Sequence, residues 1–182
     1  MVLLISYALN ASKSPTGHAL PQQKRLAEIT EMIHTASLFH DDVIDKATTR
    51  RNAASVNQVF GNKVAILGGD FLLSRASVAL ARLRNLEVVE LLSNVIAHLV
   101  EGEIMQMSNK ASPAASFSMD RYLQKSFLKT ASLIAHAAKA SALLGSYDEA
   151  TARAQADFAY QYGKHIGLAC VQRVIVRRRS NC

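Results

Sequence analysis

The chain has 182 residues, of which 49% are hydrophobic and 19% charged, and its formal net charge is +7. This balance is typical of one globular domain with a sizeable core and excludes a disordered or collagen-like chain. Four of the seven net charges are arginines in the last ten residues, where no aromatic residues interleave, so nucleic-acid binding is not predicted.

The first predicted elements are a loop over residues 11–21 and a long helix over about 22–45. Leu26, Ile29 and Ala36 belong to a run of apolar residues three or four positions apart, the pattern of a buried helical stripe. Residues 48–57 are polar and are predicted to form a loop that opens another helix.

Residues 64–82 predict a buried helix, because alanine, leucine and serine are dense there and no clean polar face is visible. Gly68 and Gly69 would allow another element to approach this helix closely, at some loss of helix propensity. A second loop is predicted over residues 111–118. The remaining predicted helices cover residues 86–107, 120–144 and 149–169.

No segment alternates with period two for long enough to predict a sheet. No apolar run reaches the roughly 18 residues that would suggest a membrane span. The two cysteines, Cys170 and Cys182, have neither metal-ligand spacing nor a disulfide pattern. The sequence therefore predicts an all-α domain of about six helices packed as a bundle.

An acidic cluster ends the first long helix, in the segment His40-Asp41-Asp42-Val43-Ile44-Asp45. Asp41 and Asp45 are one helical turn apart, so their Cβ atoms should lie roughly 5–6 Å apart. Mg2+ is usually held by one or two carboxylates plus a substrate's phosphates, and Arg50 and Arg51 could bind the same phosphates bidentately. The simpler interpretation is a solvated acidic helix end followed by a charged loop.

From Gln22 to Ala169 the sequence resembles the trans-prenyl diphosphate synthases, most closely the long-chain polyprenyl type that makes quinone side chains. The resemblance rests on motifs in the right order, at residues 28–45, 50–51, 64–73, 101–106, 122–133 and 162–169. It implies an all-α, isoprenoid-synthase-type helical bundle that is incomplete, with the C-terminal helices missing.

The resemblance also implies roles for the acidic cluster and the arginine pair. Asp41 and Asp45 would bind the Mg2+ that holds the allylic diphosphate, and Asp42 would support that cluster, which makes the three aspartates the catalytic group. Arg50 would contact the allylic diphosphate and Arg51 the isopentenyl diphosphate.

Other positions match substrate-binding residues of the family. His34 would contact isopentenyl diphosphate, Lys129 and Thr130 the allylic diphosphate, and Gln106 would face the site. The simpler interpretation is a partly buried histidine and solvated helix faces. Two further matched positions set chain length in the family: Ala36 and Ser37 would form the floor of the product tunnel. Their small side chains imply a long product, although helix packing also favours small residues.

The implied activity is that of an enzyme, a Mg2+-dependent prenyltransferase that extends an allylic diphosphate with isopentenyl diphosphate to a long all-trans product. The implied partners are these two substrates and a homo- or hetero-oligomer formed through helical faces, and the product would associate peripherally with a membrane. Resemblance to the ubiquinone pathway implies a mitochondrial location, although no targeting segment is visible.

The sequence departs from the family after Ala169. A second aspartate-rich motif is expected there, but residues 170–182 contain no acidic residue. We therefore expect residues 1–169 to form a partial synthase domain, residues 170–182 to be an aberrant basic tail from a partial gene model or splice form, and the chain alone to be impaired. Two alternatives stay open: a non-catalytic subunit of a heteromeric prenyl synthase, and a basic-tailed binding protein for nucleic acid or acidic lipid.

Overall fold

The computed structural model describes Leu3 and residues 18–111, 118–145 and 148–179, with side chains for all of these except 109–111 and 172–179. Within these residues the chain is helical apart from one short hairpin, which confirms the predicted all-α class. The elements are α1 (Pro21–Ile44), β1 (Thr49–Arg50), β2 (Ala53–Ala54), α2 (Val56–Phe60), α3 (Asn62–Ala81), α4 (Leu86–Ala111), α5 (Met119–Ser126), a π-helical turn (Phe127–Ala131), α6 (Ser132–Leu143) and α7 (Glu149–Arg179).

The predicted helix bounds agree with the structure at most ends and differ at three places. The helix predicted over 86–107 continues to Ala111. The predicted helix over 120–144 is divided by the π-helical turn, which periodicity alone did not reveal. The last helix continues past its predicted end near Ala169 to Arg179. The predicted loops over 11–21 and 111–118 lie largely outside the described residues.

Two compact units make up the chain. We call Ala27–Arg84 the aspartate unit, because it carries the acidic cluster, and Met1–Leu26 with Asn85–Cys182 the lysine unit, because it carries Lys129. The predicted site residues are therefore divided, and each group is described within its own unit.

In the aspartate unit, the predicted buried stripe of α1 is confirmed, since Ile29, Ile33 and Ala36 are at most 1% exposed. The prediction that α3 is buried is wrong. Its buried positions are mainly small residues on one face, whereas Leu67 and Phe71 are 67% and 65% exposed. Helix α3 is long and apolar enough to cross a membrane, with a mean hydropathy of 1.5, and 28% of its most apolar stretch is buried. Core helices of soluble proteins can have the same length and composition, so these properties are weak evidence for a membrane span.

A two-residue hairpin follows α1 where the sequence predicted only a loop. Thr49 pairs with Ala54 and Arg50 with Ala53 in antiparallel register. The turn residues Arg51 and Asn52 have φ of 50° and 65°. Two positive φ values in a two-residue loop are the signature of a type I′ turn, whose twist matches that of the paired strands.

The lysine unit is packed through small side chains. Helix α7 lies along α6 and the π-helical turn, and a Cβ built on Gly167 would lie 2.5 Å from the Cα of Ala131. One built on Gly163 would lie 2.9 Å from the Cα of Ala135. These two glycines, one turn apart, let the helices approach more closely than any side chain would allow. A buried alanine cluster continues the contact, formed by Ala138, Ala142, Ala156 and Ala159.

Candidate functional site

The acidic cluster lies where α1 ends. Asp41 is half-buried on the last turn of α1, and Asp45 is exposed immediately after the helix. The backbone N–H of Asp45 donates to the carbonyl of Asp41 at 2.8 Å, so the helical turn continues between them. This hydrogen bond keeps Asp41 and Asp45 one turn apart, the spacing expected from the sequence.

Asp42 points elsewhere and binds the hairpin. It is 3% exposed and accepts two hydrogen bonds from Arg50, from Nε at 2.8 Å and from Nη2 at 2.6 Å. The hydrogen bond to Asp42 raises the pKa of the Arg50 guanidinium; burial opposes this, and the negative charges of Asp42, Asp41 and Asp45 add to it. The pairing is the bidentate kind that fixes both groups in direction as well as distance.

The rest of the aspartate group lies on α1 and the hairpin. Arg51 is exposed at the hairpin tip, in the left-handed region that non-glycine residues seldom adopt. His34 is half-buried two turns before Asp41, and its carbonyl accepts a hydrogen bond from Ser37 Oγ at 2.8 Å. Ala36 is fully buried. A cavity of about 460 Å³ beside α1 is lined by other residues, Ala27, Glu28, Glu31, Met32, Thr35 and Leu72.

The acidic cluster fits a cation only in part. Among the described residues, no three His, Cys, Asp or Glu side chains are placed to hold a metal ion together. Asp41 and Asp45 lie one helical turn apart, and Asp42 binds Arg50. This donor set suits Mg2+, which is commonly held by one or two carboxylates and completed by a substrate's phosphates.

His40 fixes the end of α1 against α3. Its Nε2 lies 3.2 Å from the carbonyl of Ile66 and 3.3 Å from Oδ1 of Asp70. A Cβ built on Gly69 would lie 2.3 Å from the same Nε2. The close approach predicted for the glycine pair therefore occurs at Gly69, where α3 contacts α1, the helix that carries Asp41.

The second group of predicted residues lies in the lysine unit. Lys129 and Thr130 are half-buried within the π-helical turn, a distortion that recurs at functional sites. Lys129 Nζ donates to Oε2 of Glu103, which is 6% exposed on α4. Gln106 Nε2 donates to the other oxygen, Oε1, at 3.2 Å. The structure thus joins Lys129 to Gln106 through Glu103.

A buried polar network follows the π-helical turn directly. Ser132 Oγ lies 2.7 Å from Nδ1 of His98, and Nδ1 of His136 lies 2.8 Å from the Ser132 carbonyl. The ring of Tyr160 meets that of His136 edge-on at 5.2 Å. Burial lowers the pKa of His136, as do the charges of His98 and Lys139, while the hydrogen bond to the Ser132 carbonyl opposes the shift. The network connects α4, α6 and α7 beside the predicted substrate-binding residues.

Sequence reasoning missed the role of Glu103. Its signal was present: a carboxylate three residues before Gln106, placed between Gly102 and the apolar pair Ile104 and Met105. A charged residue in such a segment is rarely buried unless it is paired, so a partner on a facing helix was to be expected.

Comparison with known proteins identifies relatives of this arrangement. The sequence profile described as Polyprenyl synthetase matches residues 1–170. A protein named probable hexaprenyl pyrophosphate synthase, mitochondrial, from Neurospora crassa is 61% identical over 155 residues, which are 82% of this chain and 34% of the relative. Among eight curated relatives that it matches, the chain spans between 33% and 49% of their length.

Solved structures agree with the fold. An isoprenoid synthase family member from Thermotoga neapolitana superimposes with a TM-score of 0.82 at 25% identity, covering 99% of this chain and 66% of that one. A polyprenyl synthase from Caulobacter crescentus, solved with calcium and isoprenyl diphosphate, gives a TM-score of 0.74 at 29% identity, covering 89% and 47%. The predicted isoprenoid-synthase-type bundle is confirmed.

Proposed function

Because the chain belongs to the polyprenyl synthetase family, we propose that it performs the chemistry of a long-chain polyprenyl diphosphate synthase, extending an allylic diphosphate with isopentenyl diphosphate. One observation carries the proposal. The bidentate pair of Asp42 with Arg50 fixes the arginine hairpin to the turn that presents Asp41 and Asp45, so carboxylates and guanidinium groups occur together in one compact unit.

In the aspartate unit, Asp41 and Asp45 are proposed to bind Mg2+ together with the allylic diphosphate. Asp42 acts as the anchor of Arg50. The guanidinium of Arg50 binds Asp42 along one edge, and the Arg50 side chain is 36% exposed. Its other N–H groups can therefore donate to a phosphate. Arg51 at the exposed hairpin tip binds the isopentenyl diphosphate, with His34 as a second contact.

In the lysine unit, Lys129 and Thr130 are proposed to bind the allylic diphosphate from the π-helical turn. The ammonium group supplies a point charge and the threonine hydroxyl a hydrogen bond. Gln106 contributes through the carboxylate of Glu103, whose position it fixes.

The proposed reaction depends on stabilising the charges that form when the allylic diphosphate ionises. The allylic diphosphate ionises, the double bond of isopentenyl diphosphate attacks the resulting carbon cation, and loss of a proton completes one five-carbon addition. Bound Mg2+ would neutralise negative charge that develops on the departing diphosphate. Arg50 and Lys129 hold the diphosphate oxygens in fixed positions, which is most effective where water is excluded.

Product length and partners are finer parts of the proposal. Ala36 and Ser37 are proposed to form the floor of a tunnel for a long product, and that apolar product associates peripherally with a membrane. A second copy of the chain is proposed to cover the exposed apolar residues of α3, of which Leu67 and Phe71 are the most exposed. The Neurospora crassa relative is named as mitochondrial, which supports the same location for this chain.

The activity is tested by comparing the 182-residue chain with a chimera in which it replaces the matching 155 residues of the Neurospora crassa relative. Both are incubated with farnesyl diphosphate, labelled isopentenyl diphosphate and Mg2+. We expect long polyprenyl products from the chimera and little product from the chain alone, since the sequence lacks the second acidic motif of the family. Replacing Ala36 with Phe should shorten the product.

Matched variants separate the site from general charge. Asp41→Asn should abolish product formation in the chimera, while Asp157→Asn, which removes an exposed carboxylate from α7, should leave it unchanged. A chimera that folds but makes no product would overturn the enzymatic proposal. If that chimera raised the activity of a separate prenyl synthase chain, the non-catalytic subunit would be the correct alternative.

A further inference from the structure

Glu103 occupies an unusual position for a buried carboxylate. Both of its oxygens are bound within the lysine unit, Oε2 by Lys129 and Oε1 by Gln106. The side chains of Glu103 and Lys129 are 8% and 18% exposed, so water screens their attraction only weakly. Lys129, which is proposed to bind a substrate phosphate, is therefore already paired with an anion of the protein.

The backbone on both sides holds this pair together. A Cβ built on Gly102 would lie 2.7 Å from Cγ of Lys129 and 3.1 Å from Cβ of Leu128. The stem of Lys129 thus lies directly on the glycine of α4, next to Glu103. The π-helical turn presents Lys129 from the opposite side, so neither partner reaches the other by a long flexible excursion. The pairing is part of how the two elements pack.

A single lysine charge cannot neutralise two anions fully. If a diphosphate binds Lys129, as the proposed function requires, its negative charge comes close to that of Glu103, and the two repel each other through a partly buried medium. We propose that Glu103 competes with the substrate diphosphate for Lys129, weakening diphosphate binding and favouring release of inorganic diphosphate after each addition. The inference rests on the proposed role of Lys129.

Calorimetric titration of the 182-residue chain with inorganic diphosphate and Mg2+ tests this directly. Glu103→Gln keeps the size of the side chain and removes its charge, so we expect affinity to rise on the order of tenfold. Lys129→Met should weaken binding. In the double variant, Glu103→Gln should bring no gain, because the cation for which Glu103 competes is gone. Glu101→Gln removes the same charge from an exposed position of α4 and should change affinity less than about twofold.

The outcomes separate the inference from the proposed function. If Lys129→Met weakens binding but Glu103→Gln weakens it too, or leaves it within twofold, Glu103 is a structural partner only and the inference fails alone. If Lys129→Met leaves binding of inorganic diphosphate unchanged, or if the wild-type chain binds none, the proposed role of Lys129 fails and the inference fails with it.

Two further measurements guard against a variant that does not fold. Glu103→Asp keeps the charge but withdraws it by one methylene, so it should tighten diphosphate binding about threefold; weaker binding would contradict the inference. In the chimera, Glu103→Gln should lower both kcat and the KM for the allylic substrate, because product diphosphate leaves more slowly. A purely structural role would lower thermal stability without lowering KM.

Discussion

In each unit a buried carboxylate binds the cationic side chain that is predicted to contact phosphate. The two cationic side chains lie on different kinds of backbone structure. In the aspartate unit, buried Asp42 binds Arg50 bidentately on a hairpin whose turn residues have positive φ. In the lysine unit, buried Glu103 binds Lys129 on a π-helical turn that is packed against α7. Each cation is therefore oriented by a carboxylate of the protein before any phosphate arrives.

The hairpin and the π-helical turn differ in the expected effect of a mutation that disrupts them. The turn of the hairpin is an exposed local structure, so changing Arg51 there should alter the site with little effect on the remaining fold. The π-helical turn is enclosed by glycine and alanine contacts, so disturbing it should unfold the unit. The candidate residues of the aspartate unit are therefore positioned by local backbone geometry, and those of the lysine unit by core packing.

In the lysine unit, the close helix packing should be most sensitive to substitution at Gly167. Replacing it with valine places a branched side chain where even Cβ would lie 2.5 Å from the Cα of Ala131. Since backbone cannot yield as a flexible side chain does, we expect a loss of about 3 kcal/mol, the upper end for overpacking. Urea unfolding followed by circular dichroism measures it.

Ala169→Val provides the matched control, because Ala169 is exposed two residues further along α7. We expect its free energy of unfolding to change by about 0.5 kcal/mol or less. A loss at Gly167 no larger than that at Ala169 would show that the close contact at Gly167 is unimportant.

Arg50→Met tests the pair on the hairpin and should have the next largest effect on stability. It leaves the carboxylate of Asp42, 3% exposed, without its arginine. Because the Arg50 side chain is 36% exposed, water can replace part of the lost interaction, and we expect a loss of about 1–3 kcal/mol in urea unfolding. Adding Asp42→Leu should restore part of the stability, since no buried charge remains.

The surface pair of Glu149 with Arg153 is the control for this prediction. Their side chains are 82% and 65% exposed and 2.9 Å apart. Arg153→Met should therefore cost less than about 1 kcal/mol. A loss from Arg50→Met no larger than this would show that Asp42 does not depend on its partner.

Helical periodicity predicted the fold well because it reports which face of a helix is buried. The stripe of Ile29, Ile33 and Ala36 on α1 follows from spacing alone. The buried α3 was wrong because periodicity and composition cannot tell a covered apolar face from an exposed one. The π-helical turn was missed because one extra residue per turn leaves the apolar pattern nearly unchanged over a single turn.

The sequence proposed the candidate site residues one by one, but it did not predict which side chains they contact. The spacing of Asp41 and Asp45 fixed their common face, since both belong to one helical turn. The partners of Asp42 and Lys129 are 8 and 26 residues away in the chain, on other elements. Such pairings depend on tertiary approach, and a single sequence contains no signal for it beyond the presence of a charge in an apolar segment.

Acidification should weaken the lysine unit through His136. Its pKa is lowered in the folded protein, chiefly by burial, so between this value and the ordinary 6.5 the unfolded chain binds a proton that the folded chain does not. The free energy of unfolding therefore falls as pH is lowered through 6.5 and levels off below the lowered pKa. Thermal melts from pH 8 to pH 5 should show this decline, and His136→Gln should make it shallower.

Arg51→Gly should have the smallest effect on stability and separates the hairpin from the core most clearly. Arg51 has φ of 50°, a conformation that glycine adopts without steric cost. The relief of that strain roughly offsets the greater flexibility of glycine in the unfolded chain, so the free energy of unfolding should change by about 0.5 kcal/mol or less. Diphosphate affinity should nevertheless fall several-fold, because the exposed guanidinium is lost. Titration with isopentenyl diphosphate, beside a urea melt of the same variant, measures both; unchanged affinity would mean that the strained arginine serves the turn and binds no substrate.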